Sequence, residues 1–170
     1  MLLNIESVPS FYRNYIRQVP ESDLLAALRA SGNRAQELVA SIPEDKGGFR
    51  YAEGKWSIRE VLCHLLDGER VFAYRALRFA RNDRTPLPGY EQDDYAPQAN
   101  ASARTLKRLA EEMARLRAST IDLFEGFTPE MLARRGVANQ AEITVLAIGC
   151  IIAGHERHHI QVLKERYLNP

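Results

Sequence analysis

Cysteine and lysine are scarce in this sequence, and long hydrophobic runs are missing from it. Only two cysteines occur in 170 residues, Cys63 and Cys150. That excludes a disulfide framework. Both fall in apolar, helical-looking segments, so the expectation is a pair of buried thiols in a reducing compartment. No uninterrupted apolar stretch reaches the ~18 residues of a membrane span. The opening stretch, "MLLNIESVPSFYRNYIRQVP", has no basic start followed by an apolar run, so no secretion signal is read in it. A cytoplasmic protein that does not enter membranes is expected. An excess of one charge is missing too: 23 basic and 22 acidic side chains leave a net charge of +1. Arginines far outnumber lysines, but they are scattered among acids and form no basic stripe. No nucleic-acid partner is expected from such a balance.

What is present suits one globular domain over residues 1–170, with 45% apolar and 26% charged residues. Leu24, Leu28, Ser31, Ala35, Leu38 and Ile42 recur at spacings of three and four. They predict a first long helix from after Pro20 to about Ile42. A shorter helical segment is expected before it, around Phe11 to Val19. The stretch "PEDKGGFRYAEGKW" reads as a loop. "SIRE" at Ser57–Glu60 is a capping box and fixes the start of the second helix. Its buried side is read as Ile58, Val61, Leu65, Phe72 and Leu77, with Arg78 and Arg81 complementing the dipole at its end.

The next connection, "NDRTPLPGYEQDDYAPQAN", is long for a compact domain, and such loops are functional or disordered. A third helix is predicted from about Ser102 to Gly126 along Leu106, Leu109, Met113, Leu116, Thr120 and Leu123. "TPEML" starts a short helix with Thr128 as cap. The fourth long helix is predicted from about Ile143 to Tyr167. No strand-like alternation is found. The expected fold class is all-α, a four-helix bundle.

The fourth helix carries Val145, Ile148, Ile152, His155, His159 and Val162 at spacings of three and four. His155 and His159 therefore stand one turn apart on its buried seam. Buried imidazoles need partners: a metal supplies them, or hydrogen bonds from neighbouring helices do. His64 lies two turns into the second helix, ~10 Å from its start, while His155 and His159 lie ~12–18 Å from the end of theirs. An antiparallel pair brings all three to similar depth, and Gly68 leaves room on that face. Three neutral imidazoles leave an open position on Zn²⁺ or Ni²⁺, the composition of a catalytic site rather than a closed structural one. His158 points to a flank and ranks second as a ligand. Cys63 and Cys150 do not fit the ligand set.

His155-Glu156-Arg157-His158-His159 also spells H-E-x-x-H, the helix signature of zinc proteases. Only "IQVLKERYLNP" follows, with no carboxylate or histidine placed to return as third ligand, and no strand exists to hold a peptide. Glu156 is read as a flanking helix residue, with a general-base role as the lesser alternative. Asp93 and Asp94 are the other candidate catalytic carboxylates, against plain solvated acids. Tyr90 and Tyr95 are loop anchors or substrate contacts. Trp56 is read as a hydrophobic staple beside the Ser57 cap.

"KWSIREVLCHLLDGER", with Trp56, Ser57, Glu60 and His64, and "GHERHHIQVL", with His155, His159 and Gln161, together resemble the DinB/YfiT-like superfamily of metal-binding four-helix bundles. The resemblance runs over essentially the whole chain. It implies a long crossover between parallel second and third helices, and a divalent metal on His64, His155 and His159. It also implies a homodimer. Residues 83–100 suit the crossover and would return Asp93, Asp94 and Tyr95 to the His64 end. Family members include transferases that join low-molecular-weight thiols to electrophiles, and thiol-dependent isomerases. The resemblance therefore implies a thiol S-transferase-type enzyme acting on a small-molecule thiol and an electrophile. A metal-dependent hydrolase and a non-catalytic metal-binding stress-response protein are the alternatives.

Overall fold

In the computed structural model, which describes residues 3–168, the chain is mostly helical. The amino-terminal segment winds through short 3₁₀ turns into α1 (Arg13–Ile16). The first long helix is α2 (Leu24–Ser41), whose Asp23 cap accepts from the Ala26 amide at 2.7 Å. The second is α3 (Ile58–Ala80), opened by the expected capping box: Ser57 accepts from the Glu60 amide, and Glu60 accepts from the Ser57 amide at 2.6 Å. A short helix, α4 (Gln92–Gln98), lies within the long connection. The third long helix is α5 (Leu106–Glu125), capped by Thr105, and the short α6 (Pro129–Ala133) is capped by Thr128. The last is α7 (Val145–Val162), capped by Thr144 and continued by wider turns over Leu163–Leu168.

Side-chain contacts fix the topology. Arg70 meets Glu112 and Glu69 meets Arg117, while Arg104 lies against Cys63, so α3 and α5 run parallel. Gln36 reaches Ala110 and Arg117 reaches Leu28, so α2 and α5 run antiparallel. Tyr167 donates to the Trp56 carbonyl at 2.8 Å at one end, and Phe79 packs under Gly136 at the other, so α3 and α7 run antiparallel. Residues 81–105 are thus the expected crossover between parallel helices.

The expectation of no strand was wrong. Strands β1 (Arg135–Ala138) and β2 (Ala141–Thr144) form an antiparallel hairpin, with Arg135 opposite Thr144. Its turn residues, Asn139 and Gln140, have φ of 49° and 62°, the left-handed pair that a two-residue hairpin needs. The hairpin tethers the crossover: the Leu87 amide donates to Val137 O (2.9 Å), and the Asn139 amide donates to Leu87 O (3.1 Å). Two helix details also differ. Leu77 is exposed, because the buried face of α3 continues through Ala76, Phe79 and Ala80. The third helix starts at Leu106 rather than Ser102, because Ala101–Ala103 is a separate 3₁₀ turn.

The apolar core is divided into two clusters. One gathers Leu24, Leu28, Phe72, Phe79, Phe124 and Ile148; the other gathers Leu38, Leu62, Leu66, Leu109, Met113 and Leu163. Between them every long helix contributes buried polar residues: Ser31, His64 with Glu69, Arg117 with Thr120, and His155 with Glu156. A polar layer therefore crosses the bundle at mid-height. α7 is buried on almost every side from Ala147 to Arg157, as a central helix should be. Gly154 permits this, because a Cβ there would lie 2.0 Å from the Tyr15 carbonyl oxygen of the amino-terminal segment.

Candidate metal centre

His64 comes from the second turn of α3, and His155 and His159 from successive turns near the end of α7. One nitrogen from each falls within 4.8 Å of the others. The Nε2 atoms of His64 and His155 are 2.9 Å apart, and the three ring centroids are separated by 4.8, 4.8 and 4.6 Å. Gly68 opens the floor: a Cβ there would stand 3.2 Å from His155 Cε1. The Trp56 ring, just before the Ser57 cap, packs beside His64 with centroids 4.9 Å apart, so Trp56 touches the site.

Burial keeps these rings neutral. His64 is pushed down to about 4, with the Asp93 charge opposing the shift. His159 is pushed down to about 3, by burial and then by the neighbouring His64 and His158. His155 lies well below its ordinary value, by burial and then by the other three histidines. Two ring nitrogens facing each other at 2.9 Å are satisfied by one proton or by one cation. Three convergent neutral imidazoles are the donor set of a zinc-type ion with an open position, so the residues fit a divalent metal.

The sequence-predicted residues divide around this cluster. His158 stays outside it, partly exposed, with its Nδ1 3.5 Å from Gln18 Nε2. Asp93 lines both clefts that reach the histidines: a broad one of about 740 Å³ ending on His159, and a narrow one of about 240 Å³ ending on His155. Tyr90 lines the narrow cleft. Asp94 and Tyr95 instead face a groove with Asp67 and Arg70, away from the imidazoles. The broad cleft is rimmed by Arg50 and Lys55 and walled by Tyr51, Trp56 and Tyr167.

Glu156 is not a flanking residue. It is 5% exposed, and its Oε2 accepts from Arg117 Nη1 at 2.8 Å. Arg117 also donates to both Glu69 oxygens (2.9 and 2.8 Å), the Leu28 carbonyl (2.9 Å) and Ser31 Oγ (2.7 Å). Burial opposes the Arg117 charge, but Glu156 and Glu69 outweigh it and raise its pKa. Burial raises Glu156, with Arg117 pulling against it. One guanidinium thus ties all four long helices together. The sequence carried a signal for it: Glu69 stands between Leu65 and Phe72, and Arg117 between Met113 and Thr120, both at seam spacing. The cysteines are buried and unpaired, with no place in the histidine cluster.

A bundle with parallel second and third helices and three inward imidazoles defines a class of metal-binding four-helix proteins. The chain belongs to the DinB superfamily, whose model matches residues 27–163. It is 28% identical over 158 residues to OB0413 of Oceanobacillus iheyensis, covering 86% of this chain and 89% of that protein. The name of OB0413 provisionally makes it a metal-dependent hydrolase. Among solved structures the chain resembles YfiT from Bacillus subtilis, described as a probable metal-dependent hydrolase with an unusual four-helix bundle topology. That match has a TM-score of 0.74 at 17% identity and covers 84% of this chain and 82% of YfiT. It also resembles the mycothiol-dependent maleylpyruvate isomerase, with a TM-score of 0.68 at 10% identity. That match covers 97% of this chain and 63% of the isomerase, and such identities speak for the fold alone.

Proposed function

We propose that the protein is a divalent-metal-dependent enzyme that activates a small external thiol for S-transfer to an organic electrophile. The observation that carries this reading is the convergence of three neutral imidazoles where a broad cleft and a narrow one meet. Two approaches to one centre suit two reactants. A zinc or nickel ion on His64, His155 and His159 would lower the pKa of a thiol presented at its open position.

The chain's residues supply the rest. The imidazoles stay unprotonated through burial, so ligand nitrogens are available at neutral pH. Lys55 on the broad cleft suits an anionic group of a thiol carrier, beside Arg50 with its Glu60 partner, and Trp56 and Tyr51 suit its apolar body. Asp93 stands where a carboxylate can accept a proton from either cleft. Cys63 and Cys150 are buried, and burial pushes the Cys150 thiol up to about 12, so neither serves as the nucleophile.

Metal-dependent hydrolysis is the second reading, favoured by the names of OB0413 and YfiT and by the placement of Asp93. The same ion would there ionise water instead of a thiol. We further infer a single domain over the whole chain, a homodimer, a cytoplasmic location and no nucleic-acid partner. These rest on family resemblance and on the balanced charge and unpaired cysteines. Among the described residues no helix is long and apolar enough to cross a membrane.

Cobalt substitution tests the main reading. The protein is expected to bind about one Co²⁺ per chain. Adding L-cysteine or 2-mercaptoethanol should give a saturable thiolate-to-cobalt absorption, lost with the metal in His64→Ala. If a panel of physiological thiols gives no new band while bound water exchanges rapidly, the thiol reading fails and the hydrolase reading replaces it.

A further inference from the structure

Three arginines lie more than nine-tenths buried in the described chain: Arg75 (4% exposed), Arg117 (5%) and Arg157 (8%). Two of them have acids: Arg117 pairs with Glu69 and Glu156, and Arg157 pairs with Glu21. Arg75 has none; among the described residues no carboxylate comes within 4.0 Å of it. Its Nη2 donates to the Pro88 carbonyl at 2.8 Å, and its guanidinium lies 5.6 Å from the Phe72 ring centre. The Tyr12 phenol is close by, and burial raises its pKa, so it stays neutral. Most of the five N–H donors of the guanidinium are left for another partner. None of its nitrogens is among the sealed side-chain atoms without a partner, so the free donors open onto the narrow cleft. An arginine without an acid, its donors open to a cleft, is placed to take an anion from solution.

The location says which anion. His64, Gly68, Phe72 and Arg75 follow each other at spacings of four, four and three, so Arg75 stands on the face of α3 that bears His64. The narrow cleft of about 240 Å³ contains Arg75 and ends on His155. Its walls are aromatic. Tyr12 and Phe72 meet edge-on at 5.7 Å, Tyr15 lies 5.2 Å from the His155 ring, and Tyr90 closes the crossover side. The acids at its edge, Glu91 and Asp93, are exposed. Gly68, which faces His155, lies seven residues before Arg75, ~10 Å along the helix at ~1.5 Å per residue. That is the length of a small acid, not of a peptide.

We propose that Arg75 is the anion-binding residue of a second substrate pocket. A small flat carboxylic acid lies between Tyr12, Phe72 and Tyr90, with its carboxylate on Arg75 and its other end toward the histidines. The proposal deepens the two-reactant reading above: the broad cleft receives the nucleophile's carrier and the narrow one the acceptor. It rests on that reading only for the direction in which the ligand points.

Metal-free, full-length protein titrated with benzoate and with its neutral counterpart benzamide tests it by calorimetry. The wild type should bind benzoate at least tenfold more tightly, because a buried charge-assisted pair has no counterpart in the amide. Arg75→Gln should bring benzoate down to the benzamide level and leave benzamide unchanged, and Arg75→Lys should fall between. Equal or undetectable binding of the two ligands by the wild type overturns the proposal without any variant. So does a benzoate preference that survives in Arg75→Gln. Weakening of both ligands alike by Arg75→Gln would show that Arg75 only holds the Pro88 carbonyl, and would also overturn it. The titration needs no metal and no turnover, so loss of the cobalt–thiolate band alone would overturn the thiol reading and leave this pocket standing.

Discussion

His155 and Glu156 are adjacent in the chain and both are buried, yet they belong to opposite kinds of cluster. Glu156 enters a closed network in which a single guanidinium reaches acceptors on α2, α3 and α7. His155 enters an open one, whose partners are two more uncharged imidazoles at the ends of two clefts. In the first, opposite charges answer each other, so the polar layer holds the helices in register. In the second, burial and like charge outweigh the one nearby acid, Asp93, and protonating one ring disfavours protonating the next. A step of about a hundred degrees around α7 separates the two faces. The contrast teaches that burial of polar groups alone does not mark a functional site. What marks it is a set of neutral lone pairs that converge on one point at the end of a cleft.

The sharpest way to break the comparison is to remove Arg117. Arg117→Ala leaves Glu69 and Glu156 buried without their cation and should cost about 3–5 kcal/mol of stability. Urea unfolding of the metal-free protein measures it. A cost below about 1 kcal/mol would mean that the closed network is not what binds the helices at this level.

Acid should act on the open cluster instead. The imidazoles have folded pKa values below the unfolded one, so the unfolded chain takes up protons that the folded one refuses. The sign follows: full stability above pH 6.5, lost as pH falls toward about 4 for His64 and about 3 for His159. His64 alone accounts for roughly 3 kcal/mol across its window. Metal-free protein should therefore weaken between pH 6.5 and 5 more steeply than His64→Phe does. Equal slopes in the two proteins would show that burial does not hold His64 neutral.

Glu156→Gln is the gentler probe of the closed network. Glutamine keeps an oxygen for Arg117, and Glu69 still neutralises the guanidinium, so the change should stay within about 1 kcal/mol. Metal content should be unchanged, because the side chain points to α5 and not to the imidazoles. Chelator-sensitive cleavage of casein by the wild type, abolished in this variant, would restore the protease reading of H-E-x-x-H.

Legibility in the sequence followed the same division. Periodicity and caps placed the long helices, seam spacing put His155 and His159 on one face, and the rise per residue put His64 at their depth in an antiparallel pair. The crossover's return to the His64 end was expected of Asp93, Asp94 and Tyr95, but which side of α4 faces inward was not legible, and only Asp93 of the three reaches the histidine clefts. The hairpin escaped because its strands are four residues long and its Asn139-Gln140 turn lacks glycine. Arg117 escaped because Leu116, one residue earlier, continued the apolar stripe just as well. Arg75 escaped because an arginine on a helix is read as solvated until the absence of an acid around it is seen in three dimensions.

The smallest effect should come from His158. It adjoins His159 and lies 5.1 Å from it between ring centres, so on sequence it competes for the same role. The helix decides otherwise: a side chain one residue away points to a different face, and His158 leans toward Gln18 at a distance that makes a weak bond at best. Partial exposure leaves it a water-accessible ring, its pKa lowered by burial. His158→Ala should thus retain one ion per chain and change stability by less than about 0.5 kcal/mol. His159→Ala should lose most of the ion, since two imidazoles hold a divalent cation far less well than three. Elemental analysis of the two variants beside the wild type decides it. Loss of metal in His158→Ala with retention in His159→Ala would move the third ligand one residue back, to the side of the broad cleft nearest Gln18.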